Sequence, residues 1–181
     1  MKTIEIGIPD GKRAEWINGV LTLVDEKPQD ITKRIKTFED ACGELGNEHP
    51  FVKSYEKYLN TASGEEADVI AYLKLRIIAA ALNEGWKPTY DKDERRYYPC
   101  FYIYTKKEYE KLDKDEKAQC HIPLRSNSNA YAVGGLVCAG AGYAGSYSNA
   151  VYGVRLAFKT EELAEYCGEQ FIEEWADFLF A

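Results

Sequence analysis

The stretch "VCAGAGYAGSYSN", Val137 to Asn149, sets Gly140, Gly142 and Gly145 in the spacing G-x-G-x-x-G. Read as a dinucleotide-binding turn, it requires a strand running in and a helix starting at the third glycine, so that the helix N–H groups face a pyrophosphate inside a parallel β-α-β unit. The residues that follow, "SYSNAVYGVRLAF", are turn-like and then strand-like, and the next helix signal comes only at Thr160. The context therefore favours glycines that let a hairpin or bulged strands bend and pack closely against a helix, with a phosphate cradle as the weaker alternative. Without a parallel β-α-β unit at this point, the fold class reads as α+β.

Working outward, Thr160 is an N-cap for a last helix whose Leu163, Cys167, Phe171, Trp175 and Phe178 form one apolar stripe. Upstream, "YYPCFYIYT" reads as a strand apolar on both faces, with Pro99 placing it at an edge or giving it an irregular start. Thr105 and Glu108 make a capping box for a short charged helix. Between about residues 65 and 84 lies a helix apolar nearly all round, ended by Gly85, which predicts the most buried helix of the fold. Asp30 caps a further helix with Ile31, Ile35, Phe38, Cys42 and Leu45 on one face and Gly46 as its stop, and a short helix from Pro50 to Leu59 follows. The start of the chain alternates, turns at Pro9-Asp10-Gly11 and resumes β-forming residues from Trp16 to Val24.

The expectation is a single α+β domain with about four helices on an antiparallel or mixed sheet, built from the N-terminal hairpin, the "YYPCFYIY" strand and strands between 131 and 158. Residues 1–29 read as a β-hairpin appendage, and 30–181 as the core, with a glycine- and serine-rich middle segment over 119–149.

A formal charge of −7 with 45% hydrophobic and 13% aromatic residues fits a water-soluble globular chain and argues against duplex DNA or an anionic membrane as partner. The N-terminus lacks the basic and apolar regions of a signal peptide, and no run approaches a membrane span, so a cytoplasmic place is expected. Five scattered cysteines with no C-x-x-C point to reduced, mostly buried thiols, and two histidines, His49 and His121, do not supply a metal site; no cofactor is implied.

Two stretches carry polar or aromatic groups suited to recognition. "RSNSN", Arg125 to Asn129, joins a guanidinium, hydroxyls and amides able to hold a carboxylate, phosphate or sugar, although such clusters more often simply turn the chain. From Trp86 to Lys107, aromatic and basic residues alternate in a pattern that suits a stacking platform, or equally core side chains with snorkelling lysines. If a ligand site exists, it is expected where the middle segment meets Trp86, with Arg125, Asn127, Asn129, Tyr143, Tyr147, Asn149 and Arg155 as its polar and aromatic lining. No catalytic residue is assigned. A serine nucleophile in "RSNSN" has only His121 as a nearby base and no G-x-S-x-G elbow.

At "AYLKLRIIAAALNEGWKP" (Ala71 to Pro88), "RYYPCF" (Arg96 to Phe101) and "YGVRLAFKTEELAEYCGEQFIEEWADFL" (Tyr152 to Leu179), the chain resembles a group of small proteins encoded by phages and prophages of gut bacteria. That group closes on S-R-L-x-F-K-S-x-E-L-A-x-Y, and here Val154 stands at the first position, followed by Arg155, Leu156, Phe158 and Lys159. The resemblance runs from about Ile31 to the C-terminus and carries no assigned activity with it. It implies an accessory or binding protein of a phage or mobile element, acting in the cytoplasm on a host protein or small ligand. A structural virion component is the alternative, and an enzyme with an unrecognised site near Cys120 and His121 comes third.

Overall fold

The structure of the chain, a computed structural model, describes residues 6–61, 66–89, 91, 93–121, 135–145 and 154–180. Along the chain the described elements are β1 (Lys12–Ile17), β2 (Val20–Asp25), α1 (Ile31–Arg34), α2 (Phe38–Leu45), α3 (Pro50–Thr61) and α4 (Ala67–Leu82). They continue with β3 (Arg95–Tyr104), α5 (Lys106–Lys111), α6 (Lys114–Gln119), β4 (Gly135–Gly145), a 3-10 turn at Val154–Leu156, α7 (Glu161–Gln170) and α8 (Ile172–Phe180). The fold is a single α+β domain, and both of its strand pairs, β1 with β2 and β3 with β4, are antiparallel.

Among the described residues eight α-helices stand where about four helices were expected, and much of the difference comes from breaks that an apolar stripe does not record. The stretch after Asp30 is broken between α1 and α2 because Thr37 and Asp40 form their own capping box: Thr37 Oγ1 accepts from the Asp40 N–H at 3.1 Å, and the Asp40 carboxylate accepts from the Thr37 N–H at 3.0 Å. The carbonyls freed by the break are taken from across the core. The Tyr166 hydroxyl donates to the Thr32 and Ile35 oxygens at 2.9 and 2.6 Å, and the Gln170 amide to Lys36 O at 2.9 Å. The C-terminal stripe likewise changes helix at Phe171, whose φ of −114° and ψ of 37° leave the helical region.

A hairpin forms near the N-terminus, but its strands are Lys12–Ile17 and Val20–Asp25 and its turn falls at Asn18-Gly19, whose positive φ values suit a tight turn, and not at Pro9-Asp10-Gly11. It also does not join the core sheet, and both differences correct the expected topology. Its six cross-strand pairs run from Lys12 with Asp25 to Ile17 with Val20. No residue from 6 to 30 is buried, and Trp16 and Val20 are 74% and 63% exposed, so these strands offer the core no apolar face against which to pair. Ile31 is the first buried residue.

In the core sheet, Tyr97 exchanges both backbone bonds with Phe158, at 3.1 and 2.9 Å, while Leu136 does the same with His121 on the far edge. Pro99, two residues on from Tyr97, faces that same Phe158 side, so its missing N–H costs the β3–β4 ladder nothing. Where a strand was expected around Arg155, the described residues form the 3-10 turn, and of residues 154–158 only Phe158 bridges to β3.

The glycines of the opening stretch serve this ladder. Cys100 pairs with Gly140 and Phe101 with Cys138, leaving Ala139 as the extra residue of a bulge beside Gly140, whose φ is +121°. A Cβ on Gly142 would lie 2.9 Å from Cys100 Sγ. Gly145, the third glycine of the pattern, is the last residue of β4, and the residues that follow it lie outside the described ones.

Around α4, which buries Leu75, Ile77, Ile78 and Leu82, pack α8, α2 and α3, and α7 crosses both β3 and β4. Trp175 of α8 is fully buried, with its ring 5.4 Å from Phe101 and 6.0 Å from Phe178. Among the thiols only Cys167 is buried; Cys42, Cys120 and Cys138 are half-buried and Cys100 is exposed, which corrects the expectation of mostly buried cysteines.

Candidate functional site

The C-terminal end of α4 decides how the last third of the chain is held. Asn83 caps the helix, then Glu84 and Gly85 take the left-handed region with φ of +49° and +82°, turning the chain so that the Trp86 N–H reaches Asn83 O at 2.9 Å. This turn leaves the Asn83 side chain, 5% exposed, pointing at the segment after the 3-10 turn. Its Nδ2 donates to Ala157 O at 2.8 Å, and its Oδ1 accepts from the Lys159 N–H at 3.0 Å. One amide thus supplies the donor and acceptor that a strand would have supplied.

Next to it, the Glu84 carboxylate receives Arg34 at 2.8 Å and Lys159 at 3.1 Å, and Arg34 also reaches Glu44 at 3.2 Å and the Pro28 carbonyl at 2.8 Å. The stretches "LNEGWKP" and "VRLAFK" therefore meet in space through Asn83–Ala157 and Glu84–Lys159 contacts. Trp86 completes the junction by packing against Tyr98 and Ala157, both buried.

Hydrogen bonds from Arg34 and then Lys159 hold the Glu84 carboxyl below the usual glutamate range, against an opposing effect of burial. Because the folded value is depressed, the stabilisation is present above the unfolded value and is lost as pH falls through the folded one. Glu84→Gln is accordingly expected to lower the melting temperature at neutral pH, with the difference from wild type shrinking below about pH 4. The effect is small, since the carboxylate is 39% exposed and screened. A constant difference across a melting series from pH 7 to about 3 would count against it.

The same junction walls a cavity of about 350 Å³. Leu45, His49 and Phe51 come from the corner between α2 and α3, Ala80 and Asn83 from the end of α4, Trp86 to Pro88 from the chain leaving it, and Arg155 from the 3-10 turn. The corner is shaped by His49, whose Nδ1 accepts the Phe51 N–H at 3.2 Å and caps α3. Behind Phe51, the Arg76 guanidinium stacks on the ring at 4.2 Å. Burial lowers the Arg76 pKa from the ordinary arginine value, Tyr72 opposes this, and the positive charge of Arg155 lowers it further.

Of the residues expected to form a site, Trp86 and Arg155 line this one cavity. Tyr143 does not line it: it stands on β4, 62% exposed, with the Arg95 guanidinium 4.7 Å from its ring. Arg125, Asn127, Asn129, Tyr147 and Asn149 lie outside the described residues. The aromatic and basic stretch from Trp86 to Lys107 divides, with Arg96 and Tyr98 each only 2% exposed while Tyr102 is 49% exposed. His49, Phe51 and Arg76 were not foreseen; the one local signal was the His49-Pro50 helix start.

Among the described residues no group of three or more His, Cys, Asp or Glu side chains is placed to hold a metal ion, and no helix is long and apolar enough to cross a membrane. Cys120 and His121 serve the fold: the Cys120 thiol donates to Glu116 O at 3.4 Å, and His121 pairs with Leu136. Compared with family models, curated proteins and solved structures, the chain matches none.

Proposed function

We propose that this chain is a binding protein, an accessory component of a phage or mobile element, that takes a small ligand in the cytoplasm through the cavity between Trp86 and Arg155. The observation that carries the reading is the convergence of an indole, a phenyl ring and a guanidinium from three separate parts of the chain on one concavity of about 350 Å³. Its lining supports binding over nucleophilic catalysis. Among the described residues it holds no serine, threonine, cysteine or carboxylate, and the Nδ1 of its single imidazole is committed to the Phe51 N–H. The mobile-element origin rests on the resemblance at "LNEGWKP" and "VRLAFK".

A thermal-shift screen of nucleotides, sugars, amino acids and small organic acids tests the reading. A ligand at about 100 times its dissociation constant should stabilise the protein by about 2.7 kcal/mol, and Arg155→Ala should abolish that shift. A screen without any hit, or a hit indifferent to both Arg155→Ala and Phe51→Ala, would sink it. Recovery of the chain as an abundant component of purified virions would favour the structural alternative.

A further inference from the structure

Resting on the reading of this cavity as a ligand site, the geometry points to its ligand class: a small organic acid with a flat aromatic body, its carboxylate facing Arg155 and its ring held between Trp86 and Phe51. The chain as a whole carries a formal charge of −7, yet among the described residues the ionisable groups lining this cavity are His49, Lys87 and Arg155, with no aspartate or glutamate. A second guanidinium, that of Arg76, lies directly behind the Phe51 ring and within electrostatic reach of Arg155. Arg76 does not itself line the cavity, but its charge repels that of Arg155, and an anion bound at Arg155 relieves that repulsion.

Among the described residues no carboxylate pairs with either guanidinium. Arg155 forms no ion pair with a carboxylate among the described residues, and the Nε of Arg76 is buried without a hydrogen-bond partner there. Arg34, a short distance along the same junction, shows the contrast, being shared between Glu44 and Glu84. A guanidinium presents paired N–H groups that match a carboxylate in two parallel hydrogen bonds. The rest of the lining selects the body of the ligand. Leu45, Phe51, Ala80, Trp86 and Pro88 are apolar, so a heavily hydrated sugar or polyphosphate would lose water there without replacement, whereas an aromatic ring would not.

The test uses the full chain with indole-3-acetate, 3-phenylpropionate and benzoate, each against its neutral amide, by titration calorimetry at low and moderate salt. At least one acid is expected to bind, at least tenfold more tightly than its amide, and to weaken as salt rises. Arg155→Gln should erase the difference between acid and amide and Arg155→Lys should restore part of it, with the melting temperature of each ligand-free variant as the check on folding. Amides that bind as well as the acids would overturn the anion assignment while leaving the cavity a ligand site. Acids that bind equally to wild type and Arg155→Gln would overturn it too. If neither set binds while the wider screen finds a ligand lost in Arg155→Ala, the cavity reading stands and the assignment of an aromatic acid falls.

Discussion

Asn83→Ala is expected to lower the unfolding free energy by about 2–3 kcal/mol, because it strands a buried carbonyl and a half-buried N–H at once. The Ala157 carbonyl loses the donor at 2.8 Å and the Lys159 N–H loses the acceptor at 3.0 Å, in a place where Asn83 itself is 5% exposed. An orphaned buried group costs about 1–3 kcal/mol and a half-buried one less, so the two together outweigh the slightly better helix propensity of alanine at the end of α4, worth at most about 0.7 kcal/mol. Asn83→Asp separates the two bonds: the acceptor survives for Lys159, but the donor is replaced by an oxygen facing the Ala157 carbonyl, so this variant should also be destabilised. Urea unfolding of the three proteins checks it. A loss for Asn83→Ala below about 0.5 kcal/mol with an unchanged slope would show that the clamp contributes little.

Gly168→Ala is the second large effect, in a helix where alanine ordinarily helps. Replacing a helical glycine by alanine is favourable by about 0.8–1 kcal/mol in isolation. Here the new Cβ would stand 2.6 Å from Cys138 Sγ and 2.8 Å from Pro99 Cβ, distances at which α7 must move off β3 and β4. The cysteine sulfur can shift by rotating χ1, but the proline ring is fixed in its strand, so the overpacking cost of about 1–3 kcal/mol should win and the net change be destabilising by about 1–2 kcal/mol. Cys138→Ala in the same background removes one of the two collisions and should recover part of the loss. Thermal denaturation of the single and double variants measures both. A Gly168→Ala protein more stable than wild type would mean that the helix seats with room to spare.

Much of the fold was legible because its signals are local. Thr105 with Glu108 and Thr160 before Leu163 act through contacts three residues apart, and each caps its helix as expected, with Thr160 accepting the Leu163 N–H at 3.3 Å. The all-round apolar run of α4 likewise announced its own burial. The breaks at 35–37 and at Phe171 left no mark on the stripes crossing them, since Ile31, Ile35 and Phe38 face the core whether or not the backbone between them is helical. Whether the hairpin joins the sheet depended on strand partners that no local pattern specifies, and it does not.

For the candidate site, Trp86 and Arg155 were nameable as an aromatic at a helix exit and a charge in an apolar run. Their neighbours His49 and Phe51 were not, because the α2–α3 corner reaches them by packing on α4, through contacts between residues far apart in the sequence such as Phe51 with Arg76. Tyr143 was chosen for its loop-like surroundings, but it sits in an eleven-residue strand.

The position of α4 in the chain has a bearing on how the protein is made. Its buried face is covered in large part by α8, whose last residues are synthesised nearly a hundred positions later, and its C-terminal turn is fastened to residues 157–159. A nascent chain emerging N-terminus first therefore carries a strongly apolar helix, including Leu75, Ile77, Ile78 and Leu82, with α2 and α3 as partial shelter and no means of closing the core. Translation that stalls or terminates before the segment of Trp175 would leave that helix open to chaperones and proteases, and the step that completes the domain waits for α8 to emerge.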